Sequence, residues 1–113
     1  MVADLFDIVR VPFPFTDRLA VKKRPALVLS TRGFNASAGH TVFAMITKRS
    51  LSAWPSDCNV EEWQQAGLKF PSWIRLKLFT LENALIVDRL GILQPVDIAG
   101  FRASAKPVLW QSH

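Results

Sequence analysis

The sequence contains little cysteine and histidine, which argues against several classes of protein. There is one cysteine, Cys58, so no internal disulfide can form, and this residue is interpreted as small and half-buried. One cysteine and two histidines do not make a recognisable zinc site, so neither a metal nor a cofactor is predicted. His40 lies in a predicted loop and His113 is terminal, and neither is assigned a catalytic role.

Long apolar segments are also missing from the chain. No N-terminal stretch joins a basic region to an apolar one, as a secretory signal peptide does. No apolar run approaches the roughly 20 residues that a membrane-spanning helix needs. We therefore expect a soluble, cytoplasmic protein without a membrane partner.

The basic residues are concentrated in the first half of the chain. The net charge is +5 and the pI is about 10.0. Residues 1–56 carry eight Lys or Arg against three acids, whereas residues 57–113 carry six of each sign. A basic balance favours contact with a polyanion such as nucleic acid, an anionic membrane or an acidic protein segment. The alternative is a solvated surface that is merely basic.

The length of 113 residues suits one domain, residues 1–113. Half of the residues are hydrophobic, so a modest core can form, but a domain this small buries only part of its surface. Because stability at this size is often shared with a second subunit, a homodimer is expected.

Short apolar segments separated by turn signals predict a strand-rich fold, a small barrel or a sandwich. Strands are predicted at residues 6–11, 26–29, 41–46, 58–60, 72–79 and 84–93, the last with a turn at Gly91. Residues 31–40 and 47–57 are predicted as loops, and residues 61–65 as one helical turn closed by Gly67. Pro95 opens a predicted C-terminal helix, which Pro107 is expected to end or kink.

The segment 72–79 alternates in character, as a strand with two different faces does. One predicted face is basic and aromatic, with Trp73, Arg75 and Lys77. The other is apolar and packed, with Ile74, Leu76 and Leu78.

Three segments together resemble the MazF/PemK toxin family. They are Asp-Ile-Val-Arg-Val-Pro-Phe-Pro-Phe-Thr-Asp at residues 7–17, Lys-Arg-Pro-Ala-Leu-Val-Leu-Ser at residues 23–30, and Pro-Ser-Trp-Ile-Arg-Leu-Lys-Leu-Phe-Thr-Leu at residues 71–81. Arg-Leu-Gly follows at residues 89–91. The resemblance runs from about residue 6 to residue 99, and its specificity comes from the order and spacing of the segments.

The resemblance implies a mainly β fold, an SH3-like small barrel of the MazF/PemK/CcdB type with a C-terminal helix. It implies a symmetric homodimer that acts as the toxin of a type II toxin–antitoxin system. The activity implied is metal-independent, sequence-specific cleavage of single-stranded RNA, with the 2′-hydroxyl of the RNA as nucleophile. The partner implied is a cognate antitoxin whose acidic C-terminal tail covers the basic groove of the toxin.

Three residues match catalytic positions of the family: Arg24, Thr47 and Arg75. Arg24 belongs to the Arg-Pro motif and suits a phosphate, because its planar fork binds oxygens in pairs; the alternative is a solvated arginine in a basic run. Thr47 follows the strand 41–46 and could donate to the scissile phosphate, or satisfy a local backbone group instead. Arg75 aligns with an arginine that serves as acid or phosphate ligand in some members, and could instead lie on a solvated face.

The sequence departs from one branch of the family at Lys77. That branch has an aspartate there, two residues after the arginine, as general base. A lysine is a poor base at neutral pH, so the proton acceptor is not identified. Asp17 is the nearest carboxylate by loop position, although a turn-capping role suits it better.

Several further residues are predicted to contact RNA. Basic residues next to the catalytic positions are expected to bind backbone phosphates, or else to be solvated charges. Aromatic residues are expected to stack on bases, or else to cover the core or the dimer interface. The predicted RNA-binding set is Lys22, Lys23, Lys48, Arg49, Trp73, Lys77 and Phe15. Phe13 and Trp54 could also stack on bases, whereas Trp63 and Trp110 are read as structural.

Two other functions are compatible with the same fold. One is a toxin that binds and poisons DNA gyrase without cutting nucleic acid. The other is a degenerate family member that retains only antitoxin binding. The three candidate catalytic residues favour cleavage, and the missing aspartate favours the alternatives.

Overall fold

A computed structural model describes residues 1–14, 22–50 and 52–110. Phe15 and Asp17, both singled out above, lie outside the described residues. The strands are β1 (Asp7–Pro12), β2 (Lys23–Val28), β3 (His40–Lys48), β4 (Cys58–Asn59), β5 (Ser72–Glu82) and β6 (Asp88–Ile92). The helices are α1 (Arg32–Ala38) and α2 (Pro95–Leu109), and a 3₁₀ turn spans Asn83–Leu85.

The strands form one antiparallel sheet in the order β4-β5-β3-β2-β1-β6. Because successive residues of a strand point to opposite faces, each face of the sheet carries its own core cluster. The first cluster includes Ile8 and Leu27, and the helix α2 adds Phe101 to it. The second includes Val9 and Phe43. The predicted mainly β fold with a C-terminal helix is confirmed.

A bulge in β5 changes which of its residues are packed. Ala44 pairs with Leu78 and Met45 with Arg75, so two residues of β5 lie between pairs that are adjacent on β3. Leu76 packs on the first cluster, whereas Phe79 and Leu81 beyond the bulge pack on the second. The prediction that Leu78 lies on a packed face is therefore wrong, and its side chain is exposed.

The predicted loop at residues 31–40 is wrong, because it contains helix α1. The Oγ1 atom of Thr31 accepts a hydrogen bond from the Phe34 N–H, and Gly39 ends the helix in the left-handed conformation with φ of 68°. Asn35 is fully buried, and its amide donates to the carbonyls of Ala3 and Ser30. The glycine and asparagine content of this segment predicts a loop, but Gly39 is the end of a helix and Asn35 stabilises that helix from within.

Helix α2 begins at Pro95 as predicted, but it does not end at Pro107. It continues for two more residues to Leu109, and the Trp110 N–H still donates to the Lys106 carbonyl at 2.9 Å. Proline in the last turn removes little of the hydrogen-bond ladder, which explains its tolerance. No helix in the described part of the chain is long and apolar enough to cross a membrane.

Two glycines allow the turn at residues 61–67 to pack directly on β6. A Cβ atom on Gly67 would lie 2.2 Å from the Leu90 carbonyl oxygen, and one on Gly91 would lie 2.1 Å from the Ala66 oxygen. Gly67 closes the predicted helical turn with φ of 92°, as expected. The turn predicted at Gly91 is wrong, because β6 continues through this residue. The pairing of β6 with β1 has a bulge next to Gly91.

Gly91→Ala tests this contact. The added methyl group would meet a backbone carbonyl that cannot move aside easily. We expect the free energy of unfolding to fall by about 3 kcal/mol, the upper end of overpacking costs. Gly33→Ala is the control: nothing lies within 4 Å of its Cβ position, and alanine favours the helix by about 0.5–1 kcal/mol. Urea unfolding at one protein concentration measures both, and equal stability of the two variants would contradict the packing argument.

Candidate nucleic-acid interface

Arg24 and Thr47 lie near the same end of two neighbouring strands, just beyond the last residue pair that joins β2 to β3. The register pairs Ala26 with Met45, and Arg24 and Thr47 each lie two residues further along. Because side chains alternate, both residues lie on the face of the sheet that Phe43 of the second cluster occupies. Two rigid strands therefore position the first two candidate catalytic residues.

Arg75 and Trp73 extend the same row on β5. Thr47 pairs with Trp73 and Met45 with Arg75, so Arg75 is the diagonal neighbour of Thr47, about 7–8 Å away. We call the face that carries Arg24, Thr47, Trp73 and Arg75 the Arg24 face. The three predicted catalytic residues thus share one face of the sheet.

Arg24 is exposed, and its guanidinium is anchored by an aromatic ring. Its Cζ atom lies 5.0 Å from the centre of the Phe13 ring, a cation–π contact. Among the described residues, no carboxylate lies within ion-pair distance of it. Its charge is therefore fixed in place and still available to an anion.

Arg75, by contrast, is already engaged. Its Nε donates to Asp57 Oδ1 at 3.1 Å and its Nη2 donates to Asp57 Oδ2 at 2.9 Å. Nη2 also donates to the Ser52 carbonyl at 3.0 Å. The side chain of Arg75 is 12% exposed and that of Asp57 only 4%. A bidentate pair this well buried holds the arginine in one orientation.

Asp57 lies in a predicted loop and is not among the predicted site residues. The structure shows a tight turn, in which the Asp57 N–H donates to the Trp54 carbonyl and the Trp54 N–H donates to Asp57 Oδ2. Pro55 and Ser56 form its middle, and Ser56 has a positive φ of 66°. An aspartate two residues after Trp-Pro is the signal that could have identified the turn.

Lys77 lies beside the same turn, with its Nζ atom 5.9 Å from the centre of the Trp54 ring. Arg49 lies at the margin, where its Nη1 donates to Asn59 Oδ1 at 2.6 Å. Both residues are therefore near β5 but do not converge on Arg24.

Other predicted residues line a cleft of about 430 Å³ at the ends of β2 and β3. Four of its lining residues belong to the predicted RNA site: Lys22, Lys23, Arg24 and Lys48. None of the lining residues that the structure describes is acidic. We call this the basic cleft. Lys23 and Lys48 alternate with Arg24 and Thr47 along their strands, so the cleft opens on the opposite side of the sheet from Thr47.

The basic cleft also contains two cationic residues and one aromatic residue that are not in the predicted site: Arg10, Lys69 and Phe70. The Lys48 ammonium lies 4.4 Å from the centre of the Phe70 ring. Arg10 binds Asp88 through two hydrogen bonds of 3.1 and 2.7 Å, which partly offsets its charge. The lining does not include Thr47, Trp73, Arg75 or Lys77, so the predicted set divides between two surfaces that Arg24 joins.

Cys58 takes no part in either surface. It is a free, buried thiol, and burial raises its pKa more than a hydrogen bond with Ser104 lowers it. The described residues contain no group of three or more His, Cys, Asp or Glu placed to hold a metal ion.

Solved structures share this architecture. A MazE–MazF complex from Deinococcus radiodurans is 20% identical, with a TM-score of 0.76 over 96% of this chain and 97% of that one. An endoribonuclease in complex with its cognate antitoxin, from a mycobacterial species, is 14% identical, with a TM-score of 0.72 over 96% and 93%. The Mycobacterium tuberculosis toxin MazF-mt6 is 17% identical, with a TM-score of 0.70 over 87% and 90%.

These likenesses show that the half-barrel sheet with its C-terminal helix is the MazF fold. A comparison with curated proteins finds no match. The sequence pattern of PemK-like, MazF-like toxins of type II toxin–antitoxin systems matches residues 4–108, nearly the whole chain. The chain therefore belongs to the PemK-like, MazF-like family of toxins.

Proposed function

We propose that this toxin is a metal-independent endoribonuclease that cleaves single-stranded RNA, with the 2′-hydroxyl of the RNA as nucleophile. The observation that carries the proposal is the placement of Arg24. It lies on the same face of the sheet as Thr47, just beyond the last β2–β3 pair, and it also lines a basic cleft without described acidic residues. A phosphodiester bound to Arg24 on the Thr47 side of the sheet would meet fixed positive charge and a hydroxyl donor together, while the flanking RNA enters the basic cleft.

The chemistry requires stabilisation of extra negative charge. As the 2′-oxygen bonds to phosphorus, the phosphate gains charge, and the bond to the 5′-oxygen then breaks to leave a cyclic phosphate. Arg24 donates to the phosphate oxygens, and the hydroxyl of Thr47 donates to the same group. A preorganised donor of this kind contributes about 2.7–4 kcal/mol to the transition state. Because DNA lacks the 2′-hydroxyl, it would not be cut.

The basic cleft holds the flanking backbone of the RNA. Six cationic side chains line its described part, whereas Pro25, Ile46 and Leu68 form apolar surface. Such a surface tracks phosphates without reading sequence. Arg24 connects this cleft to Thr47, so the strand of RNA would pass over the ends of β2 and β3.

The partners follow from the same charge. Two of the similar structures contain an antitoxin. We propose that a cognate antitoxin with an acidic C-terminal tail covers the basic surface of this chain and competes with RNA. We further propose a cytoplasmic homodimer, since a chain of this size gains stability from a second subunit.

Arg24→Ala tests the catalytic assignment. We expect kcat/KM for cleavage of a long single-stranded RNA, in excess EDTA, to fall by about 100- to 1000-fold, because the transition state loses its fixed cation. Arg32→Ala is the matched control, since Arg32 is an exposed arginine on α1. Product ends should carry cyclic phosphate.

Unchanged cleavage by Arg24→Ala would remove this residue from the site. Intact RNA with the wild-type protein, alongside stalled DNA gyrase, would instead support the gyrase-poisoning function. This second function is a candidate because Lys77 occupies the position at which one branch of the family has the aspartate that acts as general base.

Salt dependence tests the basic cleft. Replacement of a lysine that contacts phosphate should lower the slope of log affinity against log salt by about 0.7 per contact with single-stranded RNA. We expect this for Lys48→Gln and Lys69→Gln, and no change for Lys106→Gln, an exposed lysine on α2. Titration of fluorescent RNA between low and moderate salt measures the slopes. Equal slopes for all three variants would place the RNA elsewhere.

A further inference from the structure

Trp54 stands out on the Arg24 face because its ring is both exposed and held. The residue is 44% exposed. The Arg75 Cζ atom lies 4.9 Å from the ring centre, and the Lys77 Nζ atom lies 5.9 Å away. These two cation–π contacts hold the ring in position, although much of its surface is open to solvent. An exposed tryptophan supported in this way is suited to bind another flat group.

The backbone under Trp54 is also fixed. Its N–H donates to Asp57 Oδ2 at 2.8 Å, and its carbonyl accepts from the Asp57 N–H at 3.2 Å. Pro55 restricts the turn, and Ser56 adopts a positive φ of 66° that a non-glycine residue rarely takes. A strained backbone held by surrounding contacts is characteristic of functional sites.

The Arg75–Asp57 pair connects this turn to the sheet. Both carboxylate oxygens of Asp57 accept from Arg75, and Oδ2 also accepts from the Trp54 backbone. The guanidinium of Arg75 therefore joins β5, the Asp57 carboxylate and the Trp54 ring in one arrangement. In this arrangement Arg75 directs two of its three nitrogen atoms away from any substrate.

We propose that Trp54 stacks on a nucleobase of the bound RNA and helps to select the cleavage site, and that the Arg75–Asp57 pair positions it. This inference rests on the proposed ribonuclease function. Arg75 contacts the Trp54 ring and is the diagonal neighbour of Thr47, so one side chain links the ring to the proposed catalytic residue. Stacking of one base on an aromatic side chain contributes enough to affinity to influence site choice.

The first test compares Trp54→Ala and Trp54→Phe with Trp110→Ala, an exposed tryptophan at the end of α2. Cleavage sites are first mapped on a long RNA with the wild-type protein. The probe is then an oligonucleotide across the strongest site, with 2′-deoxyribose at the cleaved nucleotide. We expect Trp54→Ala to weaken its binding roughly 5- to 150-fold and to change the cleavage map. Trp54→Phe, which keeps a smaller aromatic ring, should lose less affinity than Trp54→Ala, and Trp110→Ala should stay close to wild type.

The second test separates positioning from catalysis with Asp57→Asn. If Asp57 positions Trp54 through Arg75, this variant should weaken RNA binding, raise KM more than it lowers kcat, and add little to Trp54→Ala in the double variant. If Asp57 only withholds Arg75 from the phosphate, the variant should bind RNA more tightly or cut faster, which would overturn the positioning role.

Other outcomes have distinct meanings. Wild-type affinity and an unchanged cleavage map in a folded Trp54→Ala protein would overturn the stacking role and leave the ribonuclease function intact. Loss of antitoxin binding by Trp54→Ala, with RNA binding unchanged, would assign the ring to the antitoxin and also overturn it. A wild-type protein that neither binds nor cuts RNA would refute both proposals together.

Discussion

The hydrogen-bonded register of β2, β3 and β5 is the constraint on which the rest of the site depends. It places Arg24 on the same face as Thr47 and makes Arg75 a diagonal neighbour of Thr47. A slip of one residue would turn every one of these side chains to the other face of the sheet. The register is protected from slipping because Phe43 and Leu27, on opposite faces, are each fully buried in a different core cluster.

Contacts remote from any chemistry shape the basic cleft. The buried carboxylate of Asp97 on α2 accepts from the N–H groups of Glu61 and Glu62, at 2.7 and 2.9 Å, and so fixes the start of the 61–67 turn. At its other end the backbone of Gly67 packs against β6. The chain leaves this turn directly into Leu68, Lys69 and Phe70, which form one wall of the cleft. Stability and binding surface are thus built from the same segment.

Local pattern was sufficient for most elements of the fold and failed where tertiary packing decides. Most strands follow from short apolar segments between turn signals, β5 from alternation, and the start of α2 at Pro95 from proline chemistry, all of which are local properties. Helix α1 was missed because Thr31 and Gly39 are equally good loop residues, and the burial of Asn35 that stabilises the helix is non-local. The exposure of Leu78 depends on a bulge opposite Ala44, which no property of β5 alone predicts.

The sequence by itself determined the family, the strand segments next to which Arg24 and Thr47 lie, and the excess of positive charge, because motifs, apolar segments and composition are local and additive. Only the tertiary structure decided how those charges divide between two faces and which of them are already engaged. The sequence allows Arg75 to lie on a solvated face of its strand, but in the structure Asp57, 18 residues away along the chain, holds its side chain. Pairing of this kind depends on how a loop folds back on a strand, and the chain order of residues carries no information about that distance.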